Sequence, residues 1–290
     1  MRGNLLHNEP LARHTSWRIG GPAERYYEPK DIADLAEFLQ QLTDEEPVFW
    51  LGLGSNLLVR DGGVAGTVIA AFRALGGMVR IDAQRVRVEA GVACPQVARF
   101  CSQQELCGVE FLAGIPGTMG GALAMNAGAF GGETWTHVES VEVVDRQGNR
   151  RTRHPADYRI GYRSVDVPAG EWFVAAVLRL ERGDSAQVAD RIRTLLEKRK
   201  ATQPLNLPSC GSVFRNPPGD HAARLIETAG LKGLRIGDAC VSEKHANFIV
   251  NLGKACAADV ERLIETVIVR VQEHHGVTLA PEVRIVGRAA

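Results

Sequence analysis

The sequence predicts an α+β protein with a small β-α-β unit, then an antiparallel sheet with helices, then a C-terminal α+β region. Apolar alternation, helical spacing and glycine-marked turns follow one another in this order along the 290 residues. The composition is 45% hydrophobic and 23% charged, which is typical of a globular chain that buries a core without disulfides. We expect domain boundaries near 68 and 185, which give regions 1–68, 69–185 and 186–290.

The first region has the pattern of a β-α-β unit. Residues 31–43 have apolar positions on one helical face, and Asp31 is an N-cap residue type. Residues 47–54 form an apolar run that enters a glycine turn, and residues 66–72 form a second apolar run. These two runs predict strands on either side of a turn, preceded by the helix.

The second region has the pattern of an antiparallel sheet with helices. Residues 85–91 alternate like a strand, and 95–107 predict a helix with Pro95 in its first turn. Residues 137–154 read as a strand, a turn at Gln147-Gly148-Asn149 and a returning strand, and 172–183 predict a further strand.

The third region mixes long helices with short strands. An amphipathic, charged helix is predicted over 185–203, and further helices over 221–230 and 257–276. Strands are predicted over 247–252 and 281–287. The helix over 185–203 is expected to connect the second region to the third.

Charge and residue counts exclude several classes of protein. Lys plus Arg and Asp plus Glu are both 34, so no global basic field attracts nucleic acid or an anionic membrane. The N-terminus, MRGNLLHNEP, has no secretory apolar region, so we expect a cytoplasmic, uncleaved chain. The six cysteines form no CxxC pair and the eight histidines no HExxH, so we expect reduced thiols and no metal site.

A first glycine loop lies at LGLGSNLLV, residues 51–59. Gly52 and Gly54 allow a tight turn, and successive N–H groups there can bind a phosphate, with Ser55 and Asn56 adding side-chain donors. The loop is neither GxGxxG nor a P-loop, because position 57 is leucine and no GK[ST] follows. A plain strand-to-loop turn explains it equally well.

A second stretch, residues 114–133, holds seven glycines. A packed core does not need this many, whereas a backbone that wraps a large flat ligand with a pyrophosphate does. The alternative is a compact glycine-rich turn region. Two glycine loops on two small α+β units favour a cofactor held between domains over a doubly wound sheet with one fingerprint turn.

This pair of glycine segments resembles the FAD-binding fold of the vanillyl-alcohol-oxidase type, and the whole chain resembles the UDP-N-acetylenolpyruvoylglucosamine reductase family. The motifs that carry the resemblance, in order, are HTSWRIGGPA (14–23), YRIGYRS (158–164), GSVFRNP (211–217), GLKGLRIGDACVSEKHANFIVN (230–251) and PEVRIVG (281–287). No single motif is specific, but together with the glycine segments they form an ordered set that covers essentially the whole chain.

The resemblance implies non-covalent FAD, NADPH as co-substrate, and reduction of UDP-N-acetylglucosamine enolpyruvate to UDP-N-acetylmuramate in peptidoglycan precursor synthesis. It also implies small-molecule partners only and a monomer. The residues expected to contact FAD are Leu51, Gly52, Leu53, Gly54, Ser55, Asn56, Leu57, Gly114, Ile115, Pro116, Gly117, Gly120, Gly121, Asn126, Ala127 and Gly128.

Three residues gain catalytic roles from the resemblance. Arg163 matches the catalytic arginine, Ser212 the proton donor and Glu282 the catalytic carboxylate. The resemblance implies that hydride passes from reduced flavin to the vinyl carbon, that Ser212 protonates the adjacent carbon, and that Arg163 with Glu282 stabilises the enol-like carboxylate. Tyr162 and Lys232 join Arg163 and Glu282 as expected substrate-binding residues.

Each of these residues also has an ordinary structural explanation. An arginine in GYRS can be a surface residue paired with Asp157 or Asp166, and a serine after glycine is typical of a turn. A glutamate on a terminal strand usually faces solvent, and Lys232 can be a solvated lysine.

Two other functions fit the glycine segments. One is another FAD oxidoreductase of the same fold, acting on a 2-hydroxy acid, and the other is a non-catalytic nucleotide-sugar-binding protein. The chain also departs from the longer members of the family, because the 48 residues between Arg163 and Ser212 contain no tyrosine-bearing insertion to cover the sugar nucleotide. It therefore resembles the shorter subclass.

Overall fold

A computed structural model describes all residues from 1 to 290. The α-helices, in chain order, are α1 Ile32–Leu39, α2 Cys94–Gln103, α3 Met119–Met125, α4 Ser185–Thr202, α5 Ala222–Thr228 and α6 Ala257–His275. The 3₁₀ helices are Leu11–Arg13, Glu110–Gly114, Thr134–His137 and Pro155–Asp157.

The strands are short and numerous. In chain order they are β1 Asn4–Pro10, β2 Pro22–Glu28, β3 Val48–Leu51, β4 Leu57–Val59, β5 Val64–Ala70, β6 Met78–Arg80, β7 Arg85–Glu89, β8 Leu106–Cys107, β9 Gly128–Ala129, β10 Gly132–Glu133, β11 Val138–Asp145, β12 Arg150–Arg153, β13 Arg159–Gly161, β14 Ser164–Asp166, β15 Glu171–Arg179, β16 Glu181–Arg182, β17 Arg235–Ile236, β18 Ala239–Val241, β19 Ile249–Asn251 and β20 Arg284–Val286.

The predicted N-terminal β-α-β unit is confirmed. Its sheet has the strand order β1-β2-β5-β3, and β3 runs parallel to β5. The side chain of Asp31 accepts the backbone N–H of Asp34 and so caps α1. Helix α1 ends at Leu39 rather than at residue 43. The N–H groups of Gln41 and Leu42 donate to carbonyls three residues earlier, which is the 3₁₀ rather than the α-helical pattern.

The predicted antiparallel sheet is also confirmed, with the strand order β12-β11-β15-β7-β6. The hairpin between β11 and β12 turns at Gly148, whose φ is +74°. Helix α2 begins at Cys94 with Pro95 in its first turn. Proline has no N–H to donate, and it is tolerated at this position because the N–H groups of the first turn have no carbonyl partner within the helix.

Helix α3 was not predicted, because it lies inside the glycine-rich stretch. Glycine is a poor helix former, yet Met119, Ala122 and Leu123 occur at helical spacing and are buried. Thr118 caps the helix, and Asn126 ends it in the left-handed conformation with φ +45°. Packing of the apolar face outweighs the weak helix propensity of the two glycines.

The C-terminal helices follow the predicted pattern, and α6 ends at the left-handed Gly276. Strands β17, β18 and β19 form a three-stranded sheet, while β20 lies parallel to β4. The prediction of a strand over 281–287 was too long, and Glu282 precedes β20. This happens because the N–H of Glu282 bonds to the carbonyl of Val213 instead of continuing the pairing with β4.

The chain forms two compact units. The first contains Met1–Leu6, Tyr26–Leu53 and Thr67–Arg199, and the second His7–Arg25, Gly54–Gly66 and Lys200–Ala290. The first holds two apolar cores, one around α2, α3 and the five-stranded sheet and one around α1. The second has one core around α5 and α6. The domain boundaries near 68 and 185 stay predictions.

Candidate active site

The first glycine loop leaves the end of β3 at Leu51, which is buried. The backbone N–H groups of residues 52–55 make no hydrogen bond within the protein. Gly54 has φ +59°, and a Cβ there would lie 2.3 Å from the carbonyl oxygen of His14. The loop thus needs glycine at this position for both conformation and space.

The two glycine segments singled out in the sequence meet at Gly52. A Cβ on Gly52 would lie 2.5 Å from Oγ1 of Thr118, the residue that caps α3. Thr118 is buried, and its Oγ1 accepts the N–H of Gly121 at 3.4 Å. A side chain at position 52 would therefore push the first loop away from the start of α3.

Packing explains part of the glycine density that the sequence reasoning assigned to a ligand. A Cβ would lie 2.5 Å from the ring of Phe130 at Gly114, and 2.9 Å from Cβ of Ala90 at Gly120. At Gly128 it would lie 2.4 Å from a backbone oxygen, whereas at Gly121 its nearest neighbour would be 3.7 Å away. Neighbouring protein atoms thus require glycine at 120 and 128, whereas at 114 the clash is with the ring of the exposed Phe130.

The other expected FAD contacts lie along the same two segments. Ile115 is buried, Pro116 is exposed, and the carbonyl of Gly117 accepts the N–H of Cys94 at 2.9 Å. Ala127 packs against the core that surrounds α3. Asn126 is buried, and its side chain donates to Glu133 and to the carbonyl of Gly161.

Asn56 connects the first loop to the segment that carries Glu282. Its side-chain Nδ2 donates to the carbonyl of Glu282 at 3.1 Å, and its own carbonyl accepts the N–H of Arg284 at 3.1 Å. Leu57 follows as the first residue of β4, paired with Arg284 in β20. The amide of Asn56 is therefore engaged with the backbone of Glu282.

Arg163 lies at the tip of the hairpin formed by β13 and β14. It has φ +53°, an unfavourable conformation for a residue with a side chain. Its guanidinium donates to the carbonyl of Gly128 at 2.6 Å and to that of Asn126 at 3.3 Å, and lies 5.0 Å from the ring of Tyr162. Strained residues of this kind are held by their surroundings and cluster at functional sites.

Ser212 and Glu282 lie on adjoining backbone segments of the second unit. The N–H of Glu282 donates to the carbonyl of Val213 at 2.7 Å, and Phe214 bridges to Pro281. Both side chains are half-buried. The structure brings this pair of predicted residues together, whereas Arg163 belongs to the first unit.

The half-buried Glu282 carboxylate acts electrostatically on the buried thiol of Cys210. Burial first, and then the charge of Glu282, raises the pKa of the Cys210 thiol well above its usual value. Cys210 is 3% exposed, so this thiol is not a reactive group. The glutamate therefore does not simply face solvent.

Sequence reasoning missed Asn247. This residue is 4% exposed, its Oδ1 accepts the N–H of Phe214 at 2.9 Å, and its Nδ2 donates to the Phe214 carbonyl at 2.8 Å. Its own carbonyl accepts the N–H of Val213 at 2.9 Å. An asparagine that begins an apolar run, as in NFIVN, is the available signal for such a buried backbone contact.

Lys232 forms an ion pair within the protein. Its ammonium pairs with Glu227 at 2.6 Å, and the lysine side chain is 28% exposed. Lys244, the other lysine of this segment, donates to the carbonyl of Lys200 at 2.5 Å.

These observations fit a bound dinucleotide. Four successive N–H groups without protein acceptors suit the oxygens of a pyrophosphate, and Gly52 and Gly54 let the backbone approach it closely. The fold and this loop together define a flavin-binding protein, and residues 23–152 match the family described as "FAD binding domain". The α+β FAD-binding fold predicted from the sequence is confirmed.

Residues 203–286 match the family described as "UDP-N-acetylenolpyruvoylglucosamine reductase, C-terminal domain". The chain is 63% identical over 287 residues to the reductase of that name from Alkalilimnicola ehrlichii, with 99% of this chain and 96% of the relative covered. It is 59% identical over 288 residues to that of Methylococcus capsulatus, with 99% and 95% covered.

A solved structure agrees with these sequence relatives. The crystal structure of UDP-N-acetylenolpyruvylglucosamine reductase from Thermus caldophilus superimposes with a TM-score of 0.81 at 36% identity, covering 98% of this chain and 99% of that one. The chain belongs to the UDP-N-acetylenolpyruvoylglucosamine reductase family.

Proposed function

We propose that this protein reduces UDP-N-acetylglucosamine enolpyruvate to UDP-N-acetylmuramate with NADPH and FAD, in peptidoglycan precursor synthesis. The observation that carries the proposal is the match of residues 203–286 to the reductase C-terminal domain. That segment contains Ser212 and Glu282 on adjoining backbone segments. The reaction serves cell-wall biogenesis, and through it cell shape and cell division.

FAD, when bound, supplies hydride chemistry between NADPH and the vinyl group of the substrate. The loop of residues 51–57 would hold it, because the N–H groups of 52–55 have no acceptor within the protein and could bind the pyrophosphate. The segments 114–117, 120–121 and 126–128 complete the expected contacts. At glycines where protein atoms leave no space for a Cβ, we expect backbone groups to make the contact with FAD.

Arg163 binds the carboxylate of the enolpyruvyl group. A guanidinium has five N–H donors in a planar fork, which matches a carboxylate, and the carbonyls of Asn126 and Gly128 fix its plane. Negative charge grows on this carboxylate and the adjacent carbon as hydride arrives. A cation oriented beforehand stabilises that charge without reorganising. Tyr162, beside Arg163, joins the same substrate contact.

Ser212 donates the proton to the carbon that becomes basic. A hydroxyl does this by position rather than by a lowered pKa, so its backbone must be held firmly. The amide of Asn247 and the N–H of Glu282 hold residues 213–214 directly after it. Glu282 accepts a hydrogen bond from the enol-type carboxyl group or passes a proton onward.

Lys232 contacts the diphosphate of the substrate. Its present partner, Glu227, is 56% exposed, and ion pairs of this kind contribute only about 0–1 kcal/mol. A diphosphate carries more charge and replaces the glutamate at little cost.

We assign the protein to the shorter subclass, because the 48 residues between Arg163 and Ser212 contain no tyrosine. We include a cytoplasmic monomer in the proposal, and size-exclusion chromatography with light scattering tests the oligomeric state. No helix is long and apolar enough to cross a membrane.

An anaerobic visible spectrum tests the reaction. NADPH is expected to bleach the yellow protein, and UDP-N-acetylglucosamine enolpyruvate to restore its colour. Bleaching without recovery would favour an oxidoreductase acting on a 2-hydroxy acid. Failure to bind FAD on reconstitution would contradict the cofactor assignment, and binding without NADPH consumption would favour a non-catalytic protein.

A further inference from the structure

Asn126 contacts the hairpin that carries Arg163 at two points, one on its backbone and one at the guanidinium. Its Nδ2 donates to the carbonyl of Gly161, the last residue of β13, at 3.1 Å and to Oε2 of Glu133 at 3.0 Å. Its Oδ1 accepts the N–H of Trp135 at 3.1 Å. Its backbone carbonyl accepts from Nη1 of Arg163. One residue thus contacts both the backbone before the hairpin tip and the guanidinium at the tip.

The hairpin needs such support. Strands β13 and β14 pair only with each other, over three residue pairs, and a two-stranded hairpin alone is marginally stable. The tip residue Arg163 is in a left-handed conformation that costs free energy and persists only where its surroundings fix it. Contacts from outside the hairpin therefore set where the guanidinium lies.

The amide of Asn126 has no N–H left for a ligand. A carboxamide has two N–H donors, and the carbonyl of Gly161 and Glu133 take both. Asn126 is 2% exposed. Asparagine also tolerates the φ of +45° that ends α3 better than most residues. These facts argue against a side-chain contact to FAD and for a structural connection to Arg163.

We propose that Asn126 is a positioning residue, whose side chain aligns Arg163 with the substrate carboxylate rather than contacting the flavin. This rests on the catalytic role proposed above for Arg163. Asn126→Gly is the sharpest test, because glycine keeps the left-handed backbone and the carbonyl that Arg163 uses. It removes only the amide that holds Gly161, Glu133 and Trp135.

Two half-reactions and one binding constant distinguish the roles. Stopped-flow measurements give the rate of flavin reduction by NADPH and the rate at which the enolpyruvyl substrate reoxidises it. A displaced guanidinium is expected to slow reoxidation about 100-fold. Flavin reduction by NADPH and the Kd of the apoprotein for FAD, from quenching of flavin fluorescence, are expected to change less than about threefold. A general folding defect would change all three.

A matched control and a double mutant complete the test. Asn149 also donates an amide hydrogen to a carboxylate, that of Asp145, but in the turn between β11 and β12. Asn149→Gly is expected to leave both half-reactions unchanged. Arg163→Ala with Asn126→Gly is expected to reoxidise no more slowly than Arg163→Ala alone, because Asn126 acts through Arg163.

The outcomes separate the two proposals. Weaker FAD binding by Asn126→Gly in parallel with slower reoxidation would overturn the positioning role in favour of a flavin contact. Normal reoxidation by Asn126→Gly, together with slow reoxidation by Arg163→Ala, would overturn it and leave the proposed function intact. Normal reoxidation by Arg163→Ala would instead contradict the proposed function itself.

Discussion

Asn247→Ala is expected to destabilise the protein strongly through the segment that follows Ser212. The amide pairs with both backbone groups of Phe214, which is 2% exposed. Alanine leaves that N–H and that carbonyl buried without partners, at about 1–3 kcal/mol each, so the free energy of unfolding falls by about 2–6 kcal/mol. This is a large part of the 5–15 kcal/mol roughly typical of a domain.

Urea unfolding followed by circular dichroism measures this loss. The slope of free energy against urea is expected to stay constant while the midpoint falls, because the unfolded chain is unchanged. Asn4→Ala is the matched control, since its amide is exposed and makes one bond of 3.4 Å to Glu28. It is expected to change the free energy by less than about 0.5 kcal/mol. Equal small effects of both variants would refute the reasoning.

Four further predictions concern the site and two buried thiols. Ser212→Ala is expected to lower product formation by about 10²–10⁴-fold while NADPH still bleaches the flavin, and Glu282→Gln to slow reoxidation more than reduction, both by stopped flow. Gly54→Ala is expected to weaken FAD binding at least about tenfold by fluorescence titration, because a Cβ would lie 2.3 Å from a backbone oxygen. Burial raises the pKa of Cys94 and Cys101 to about 12, so both are expected to resist thiol reagents at pH 8, by mass spectrometry, until the chain unfolds.

Local patterns were sufficient to predict most of the fold. The long helix α6 was predicted within one residue, because its apolar period and its terminal glycine are both local signals. Helix α3 was missed for the opposite reason. Its glycines suggest a loop, and only the burial of Met119, Ala122 and Leu123 against the rest of the first unit makes it a helix.

The end of the chain shows a second limit. PEVRIVG has the pattern of a strand, with alternation over 282–285, but Glu282 bonds to Val213 and only Arg284–Val286 pair with β4. A strand pattern states which residues can pair, whereas the partner segments decide where pairing begins. The position of Glu282 next to the segment of Ser212 therefore could not be derived from its own sequence.

The residues proposed as catalytic were predicted from the resemblance, and residue chemistry alone could not have selected them. For Arg163 the ordinary explanation was an ion pair with Asp157 or Asp166, and Asp157 in fact accepts the N–H of His154. The guanidinium donates to two backbone carbonyls. Backbone acceptors leave no trace in the sequence, since every residue has one.

The glycines show how a ligand signal and a packing signal become mixed. Gly128 is required because a Cβ there would lie 2.4 Å from the carbonyl oxygen of Gly132 and 2.8 Å from Nη1 of Arg163. The same glycine supplies the carbonyl that holds this guanidinium at 2.6 Å. A glycine counted in the sequence as a cofactor contact thus also brings the backbone close enough to orient Arg163. Glycine density therefore predicted a ligand segment but not which group each glycine serves, and Gly128→Ala is expected to move the Arg163 guanidinium even where FAD still binds.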